Sequence, residues 1–302
     1  LTAAHKGLVK WRYAGEKVTS QMTLSIGPDV QAFSFGGLDL TARTMSIFGR
    51  EDLSLRIDRR FTLRTGIDLL LGFYSFDVAL PFNPIAGELD PLADPEPFTR
   101  TLDGVFYLPS PYLEAEYDIT SRLKMIAGVR IDPFIIPALY STVWVDPRLS
   151  VIWRTGRATV LKGSAGRFGE NPQPFVVDPA LGGDSDLKPP FSLQYSLGVE
   201  QGFTSYLKFE ATGFYSDLRR LVIVGQPGTP GEGGLGSDVD FANDGRGRNR
   251  GIEILLRHNP HKGFFGWISY TLQQAERLDL SLIHISEPTR LRRISYAVFC
   301  LK

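Results

Sequence analysis

The ten residues FSLQYSLGVE, Phe191 to Glu200, decide the reading of this chain. Phe191, Leu193, Tyr195, Leu197 and Val199 take the odd positions, and Ser192, Gln194, Ser196, Gly198 and Glu200 the even ones. Successive side chains of a strand point to opposite faces, so the segment presents one apolar and one polar face. The pattern recurs. Val18, Met22, Leu24 and Ile26, with Ser20 among them, alternate with Thr19, Gln21, Thr23 and Ser25. Leu123, Met125, Ala127, Val129 and Ile131 alternate with Arg122, Lys124, Gly128, Arg130 and Asp132, with Ile126 the exception. Leu207, Phe209 and Ala211 oppose Lys208, Glu210 and Thr212, while Ile252, Ile254 and Leu256 oppose Glu253 and Arg257. No convincing helical stripe precedes residue 280, so an all-β chain is expected.

The connections carry a second pattern. Short polar turns are expected at Ala14–Glu16, Asp58–Arg60, Ile119–Ser121, Arg154–Gly156, Gly202–Thr204 and Asn259–Lys262. Longer stretches rich in Pro and Gly alternate with them: Gly27–Thr41, Pro81–Ser110, Pro133–Thr142, Gly169–Pro190 and Gly225–Gly247. An up-and-down sheet with short turns at one end and long loops at the other gives this order, as in outer-membrane barrels. About twelve strands are predicted, near 6–13, 17–26, 42–58, 61–80, 111–118, 122–132, 143–153, 157–168, 191–201, 205–224, 248–258 and 263–275. Most reach the roughly 9–11 residues that a tilted strand needs to cross the hydrocarbon layer. Several are longer, which predicts a wall projecting beyond the membrane.

Charge placement favours a membrane barrel over a soluble β-sandwich or propeller. Arg56, Arg64, Asp68, Glu114, Glu116, Lys124, Arg130, Arg148, Glu200, Lys208, Glu210, Glu253 and Arg257 all fall on the polar face of their strands. A lipid-facing Arg or Lys at the midplane costs about 2–4 kcal/mol, so a water-filled lumen is their natural place. Tyr112, Trp153, Tyr206, Tyr215, Trp267 and Tyr270, near strand ends, are candidates for interfacial girdles. The apolar runs, such as Leu69–Leu71, fall far short of a transmembrane helix. With 33 basic and 33 acidic residues, the chain lacks the basic surplus of a dedicated nucleic-acid binder. A single cysteine, Cys300, excludes an internal disulfide.

Three segments resemble the middle and later barrel strands of TonB-dependent receptors. Asp146–Pro174, DPRLSVIWRTGRATVLKGSAGRFGENPQP, has the Pro-Arg strand start of that family at Pro147-Arg148. Leu187–Val222 carries Leu187-Lys188-Pro189 and Gly198-Val199-Glu200, similar to the family's Leu-x-Pro and Gly-x-Glu; Pro190 replaces its more usual acidic residue. Asn249–Arg277 places Gly251-Ile252-Glu253 and Tyr270-Thr271 at matching positions. The resemblance implies a Gram-negative outer-membrane barrel of 22 strands with an N-terminal plug. This chain would supply a middle portion of that wall, without the plug and its TonB-contacting segment. The implied role is import of a scarce solute (an iron chelate, cobalamin or an oligosaccharide) driven by TonB, with outer-membrane lipid and lipopolysaccharide as surroundings. A passive channel or adhesion-type barrel, or a soluble β-rich carbohydrate-active protein, remains open.

The chain opens at Leu1 without Met or signal peptide, so a truncated N-terminus is expected. Residues 1–280 are read as partial barrel. Residues 281–302, SLIHISEPTRLRRISYAVFCLK, resemble the conceptual translation of a sequencing-adapter read-through and are expected to be a non-native tail, giving Cys300 and His284 no role.

No catalytic, cofactor-binding or metal-ligating residue is expected, nor any enzymatic activity. Gly231, Gly233 and Gly236 match GxGxxG but lack the strand before and helix after that a phosphate cradle needs. Gly245-Arg246-Gly247-Arg248-Asn249-Arg250 is a loop-to-strand junction whose arginines suit solvent or lipopolysaccharide phosphates better than RNA. Asp238, Asp240 and Asp244 miss the EF-hand spacing. His258 and His261 lack a third ligand for zinc. Glu88, Asp90, Asp94 and Glu96 sit in a Pro-rich loop, where solute contact and plain solubility explain them equally.

Overall fold

The computed structural model describes residues 2–35, 38–80, 98–179, 183–224, 241–278 and 297–301. They form antiparallel strands: β1 (Thr2–Ala4), β2 (Gly7–Ala14), β3 (Val18–Phe35), β4 (Leu38–Arg56), β5 (Phe61–Leu80), β6 (Phe98–Asp118), β7 (Leu123–Ile136), β8 (Tyr140–Arg154), β9 (Thr159–Gly169), β10 (Phe191–Gly202), β11 (Leu207–Val224), β12 (Phe241–His261), β13 (Phe264–Leu278) and β14 (Ala297–Leu301). One helical turn, α1 (Pro174–Val177), interrupts them. Hydrogen-bonded order follows chain order, as an up-and-down wall requires. β1 and β2 are two halves of one edge strand: both pair with β3, at Asp29–Gln31 and Thr19–Ile26. His5 and Lys6 break that strand, and the His5 N–H donates to the Pro28 carbonyl at 3.0 Å. The backbones approach so closely there that a Cβ on Gly27 would strike the His5 carbonyl. Fourteen segments therefore occupy thirteen positions, against about twelve predicted.

The chain divides into two compact units. One comprises Leu1–Leu53, Gly66–Pro111 and Pro133–Ser141, and the other Ser54–Thr65, Tyr112–Asp132 and Thr142–Lys302. The second unit holds short turns that share one chemistry. The Asp58 carboxylate accepts from the N–H groups of Arg60 and Phe61 at 2.6 and 2.9 Å. The Thr120 hydroxyl does the same for Arg122 and Leu123, and the Thr204 hydroxyl for Tyr206 and Leu207. A side-chain oxygen followed three residues later by Phe or Leu thus reverses the chain and starts the next strand, a role suited to Asp and Thr. Neighbouring turns are laced together: Asp118 N–H donates to the Arg60 carbonyl, Arg154 to Arg122, Gly202 to Ala158 and Asn259 to Tyr206, at 2.7–2.8 Å. The hairpin after β12 differs. Lys262 and Gly263 have φ of 51° and 81°, the left-handed pair of a type I′ turn.

The expected loop Gly169–Pro190 lies where the sequence placed it, between β9 and β10, but the other four expected long loops are cut short by the strands that flank them, β12 for one starting at Phe241. β3 runs on to Phe35 and β4 starts at Leu38; β6 begins at Phe98; β7 and β8 meet in a turn at Pro137–Leu139. β4, β5, β6 and β12 have 19, 20, 21 and 21 residues, about twice what a membrane crossing needs. Of residues 281–302, only Ala297–Leu301 are described, as β14 on β13.

Candidate functional site: the two faces of the wall

Strand register turns the alternation into rows that run across β8–β13. Trp153 pairs with Leu161, Leu161 with Val199, Val199 with Ala211, Ala211 with Ile254 and Ile254 with Tyr270. Two residues along each strand the next such row is Val151, Gly163, Leu197, Gly213, Ile252 and Leu272. Neither row contains a charge, and Leu197 is 76% exposed. The rows offset by one residue read Ile152, Lys162, Gly198, Thr212, Glu253, Thr271 and Arg154, Val160, Glu200, Glu210, Leu255, Ser269. A continuous exposed apolar face of this kind is a liability in water and the normal state in lipid. The apolar rows are the lipid side, and the charged rows the lumen.

Charged side chains on the lumenal side find one another across strands. In the second unit Arg64 of β5 reaches Glu114 at 2.9 Å and Glu116 at 2.6 Å on β6. Lys124 of β7 pairs with Glu116 and lies 3.8 Å from Asp118. Lys162 pairs with Glu200, and Arg257 with Glu210 at 3.5 Å. In the first unit Arg50 of β4 holds Asp52 on its own strand at 2.9 Å and reaches across to Asp68 of β5 at 3.5 Å. Every one of these contacts requires both partners on the same face, so the pairing agrees with the face assignment made from parity. Half-exposed pairs contribute about 0–1 kcal/mol each. Their consequence is a lumen lined by mutually compensated charge.

Towards the loop end of the first unit the lumenal side changes character. Tyr74, Phe76 and Val78 continue the parity of Asp68 on β5, yet they are aromatic or aliphatic and buried. Tyr74 packs on Phe76 at 5.2 Å and on Phe106 at 6.2 Å; Phe106 meets Phe134, and Phe134 meets Tyr140, each at 6.0 Å. Glycines on neighbouring strands make room: a Cβ on Gly72 would enter the Phe106 ring, and one on Gly104 the Tyr74 ring. Laying an aromatic over a strand glycine restores packing that the missing side chain forfeits. Sequence reading missed this cluster, because Phe134 and Tyr140 fall in a segment read as loop. The available signal was parity: Arg130, Asp132, Phe134 and Ile136 keep one face while switching chemistry.

In the second unit, the region around α1 is tied down by polar contacts. Asp146 accepts from the Arg167 guanidinium at 2.6 Å and from the Gly169 N–H at 2.8 Å. The Asn243 side chain accepts from Lys188 N–H at 2.6 Å and donates to the Lys188 and Arg220 carbonyls at 2.9 and 3.1 Å. Val176, Val177 and Leu187 are buried. The side chains that make these contacts, those of Asp146, Arg167 and Asn243, were not among the candidate functional residues from sequence; Lys188, part of the Leu187-Lys188-Pro189 motif, takes part through its backbone.

The candidates weighed from sequence fare as follows. Gly231, Gly233, Gly236, Asp238, Asp240, Glu88, Asp90, Asp94, Glu96 and His284 lie outside the described residues. His261 stacks on Tyr206 at 4.2 Å and 8°, and His258 lies 4.9 Å from both Tyr206 and Phe264. Both histidines are thus packed at the turns. Of the six girdle candidates, Trp153, Tyr215 and Tyr270 fall on apolar-side rows. Trp267 pairs with Arg257, and Tyr112 shares the parity of Glu114, so these two belong to the charged side. The strict alternation of a two-residue repeat decides that, and position near a strand end does not.

Long antiparallel strands in chain order, short capped turns at one end, an apolar outer face and a charged inner one define the wall of a Gram-negative outer-membrane β-barrel. A family model described as TonB dependent receptor-like, beta-barrel matches residues 7–290. The chain belongs to that family. Among solved structures it is similar to the ferric yersiniabactin uptake receptor FyuA of Yersinia pestis, with 13% identity and a TM-score of 0.66 over 92% of this chain and 43% of that one. It is also similar to the ferric enterobactin receptor PfeA of Pseudomonas aeruginosa, with 17% identity and a TM-score of 0.67 over 90% and 43%. The copper transporter OprC matches with 12% identity and a TM-score of 0.63 over 90% and 47%. The chain therefore spans less than half the length of each. No curated protein matches it in sequence.

Proposed function

We propose that this chain is part of the wall of an energised receptor that imports a scarce solute across the outer membrane with TonB. The family match over residues 7–290 carries the reading. Structural neighbours described as a ferric yersiniabactin uptake receptor, a ferric enterobactin receptor and a copper transporter support a metal-chelate cargo ahead of cobalamin or an oligosaccharide. The charge-compensated lumenal face fits a water-filled passage, and the role is transport rather than catalysis. Uptake tests it: cells expressing the gene that encodes this chain are given radiolabelled ferric chelates, with TonB active or inactivated. Accumulation that depends on TonB is the expected result. Equal accumulation without TonB would make the wall that of a passive channel.

A further inference from the structure

Five turns of the second unit are laced into one continuous rim at the short-turn end of the wall. Backbone bonds link the β4–β5 turn to β6–β7, that turn to β8–β9, and so on to β10–β11 and β12–β13. The first two of these bonds run through Arg60, Arg122 and Arg154 themselves. Residues 56–61, 118–123, 154–159, 202–207 and 258–264 hold seven basic residues, Arg56, Arg59, Arg60, Arg122, Arg154, Arg157 and Lys262, against two acids, Asp58 and Asp118. The whole chain has 33 of each sign, so positive charge is concentrated on this rim. All seven basic residues are exposed.

The two acids are already engaged. The Asp58 carboxylate accepts from two turn N–H groups at 2.6 and 2.9 Å, and Asp118 lies 3.8 Å from Lys124. None of the six arginines is ion-paired with a described residue. Their positions decide what they meet. Arg154 stands in the lumenal row with Val160 and Glu200, and Arg56 keeps the two-residue repeat of Arg50 on β4. Arg59, Arg60, Arg122 and Arg157 lie on the turns, beyond the paired strands. The lipid side at the same level is apolar: Trp153 pairs with Leu161, and Tyr117, one residue from Asp118, meets Phe61 at 6.4 Å.

We propose that this rim is a docking strip for the carboxylate-bearing peptide stems of the cell-wall glycan. Short turns mark the periplasmic end of such barrels, the side on which that polymer lies. Phospholipid phosphates surround the lipid side, where these strands present Trp153, Tyr117 and Phe61. Arginines on the turns and on the lumenal side address the aqueous space instead. The planar guanidinium fork donates two parallel hydrogen bonds to a carboxylate. Neighbouring turns stand two strand spacings apart, about 10 Å, so the three arginine-bearing turns cover about 20 Å. A row of that length suits an extended polymer with repeated carboxylates better than one compact anion. The backbone bonds between turns fix the spacing of the row before anything docks, which lowers the ordering cost of binding. The strip is independent of the solute that the barrel imports.

The test sediments the detergent-extracted outer-membrane protein that carries this chain with purified cell-wall sacculi. The probes are native sacculi, sacculi whose carboxylates have been amidated, and vesicles of phosphatidylglycerol. Native sacculi are expected to carry down at least tenfold more protein than amidated ones. Raising salt to roughly 0.5 M, which shortens the screening length to a few ångström, should release it. Replacing Arg59, Arg60, Arg122 and Arg157 together by Gln should cut sedimentation with native sacculi at least tenfold. The same replacement of Arg246, Arg248 and Arg250, a basic run away from the short turns, should leave it unchanged. Heat-modifiable mobility on gels checks that both variants fold. Undiminished sedimentation of the folded rim variant, equal loss in the second variant, full retention by amidated sacculi, or binding to the vesicles with none to sacculi would each overturn the proposal.

Discussion

The two faces of β8–β13 are built from the same six strands and differ by one residue of register. Val151, Leu197, Ile252 and Leu272 point to one side; Lys162, Thr212, Glu253 and Thr271, each one residue away from an apolar-row position, point to the other. On the lipid side packing partners come from outside the chain, so its residues are exposed, apolar and only loosely constrained in shape. On the lumenal side the partners are other residues of the wall: Arg64 with Glu114 and Glu116, Lys162 with Glu200, Tyr74 with Phe106. One face is therefore specified by polarity, and the other by pairwise fit. Substitutions should act on the two faces by different rules.

The largest effect is expected from a charge placed on the apolar side. Ile254→Arg should cost about 2–4 kcal/mol in urea unfolding from lipid vesicles, the cost of a cation in the hydrocarbon. Leu255→Arg, one residue away on the Glu210 row, should change stability by less than about 1 kcal/mol, as an exposed lumenal charge does. Equal costs for the two would break the assignment of faces.

Glycine substitutions give the next largest contrast. Gly104→Ala drives a methyl group into the Tyr74 ring, and overpacking of that kind costs about 1–3 kcal/mol. Gly213→Ala, in open space on the apolar side, should stay within about 0.5 kcal/mol. Chemical unfolding of the two variants makes the comparison. Below these comes Glu116→Gln, which weakens the hub shared by Arg64 and Lys124 and should cost about 1–2 kcal/mol, since hydrogen bonds to charged groups exceed neutral ones. Smallest is Thr204→Ala, which removes the cap on two turn N–H groups. About 0.5–1 kcal/mol is expected, with Thr204→Ser near neutral in the same unfolding measurement.

The contrast also explains how much was legible in the sequence. Where a strand separates lipid from water, polarity alternates, and β7, β10 and β11 were readable to within a few residues. The short turns were readable as well, because Asp58, Thr120 and Thr204 reverse the chain by local side-chain bonds. Beyond the membrane both faces meet water or protein, the period fades, and Asp29–Phe35 reads as loop although its backbone still belongs to β3. In the aromatic cluster the period persists with its chemistry inverted: Tyr74 and Phe134 stand on the parity of Asp68 and Arg130. Binary patterning registers that inversion as a break. Asp146 and Asn243 hold backbone groups that are remote in sequence, and no local pattern announces such contacts. Arg246, Arg248 and Arg250 were visible as a run of residues, but only the register of Arg250 with Tyr215 and Gln274 shows which face they occupy.

The central claim, that Leu193–Glu200 alternates between lipid and water, is tested most directly by spin labels placed one at a time along that segment. The sole cysteine, Cys300, is first replaced by Ser, and the membrane-inserted protein is exposed to oxygen or to a water-soluble nickel relaxant. Labels at 195, 197 and 199 should be relaxed by oxygen and those at 194, 196 and 198 by nickel, in strict two-residue alternation. Low accessibility to both agents at 195, 197 and 199 would place these side chains in a dry protein interior and contradict the account.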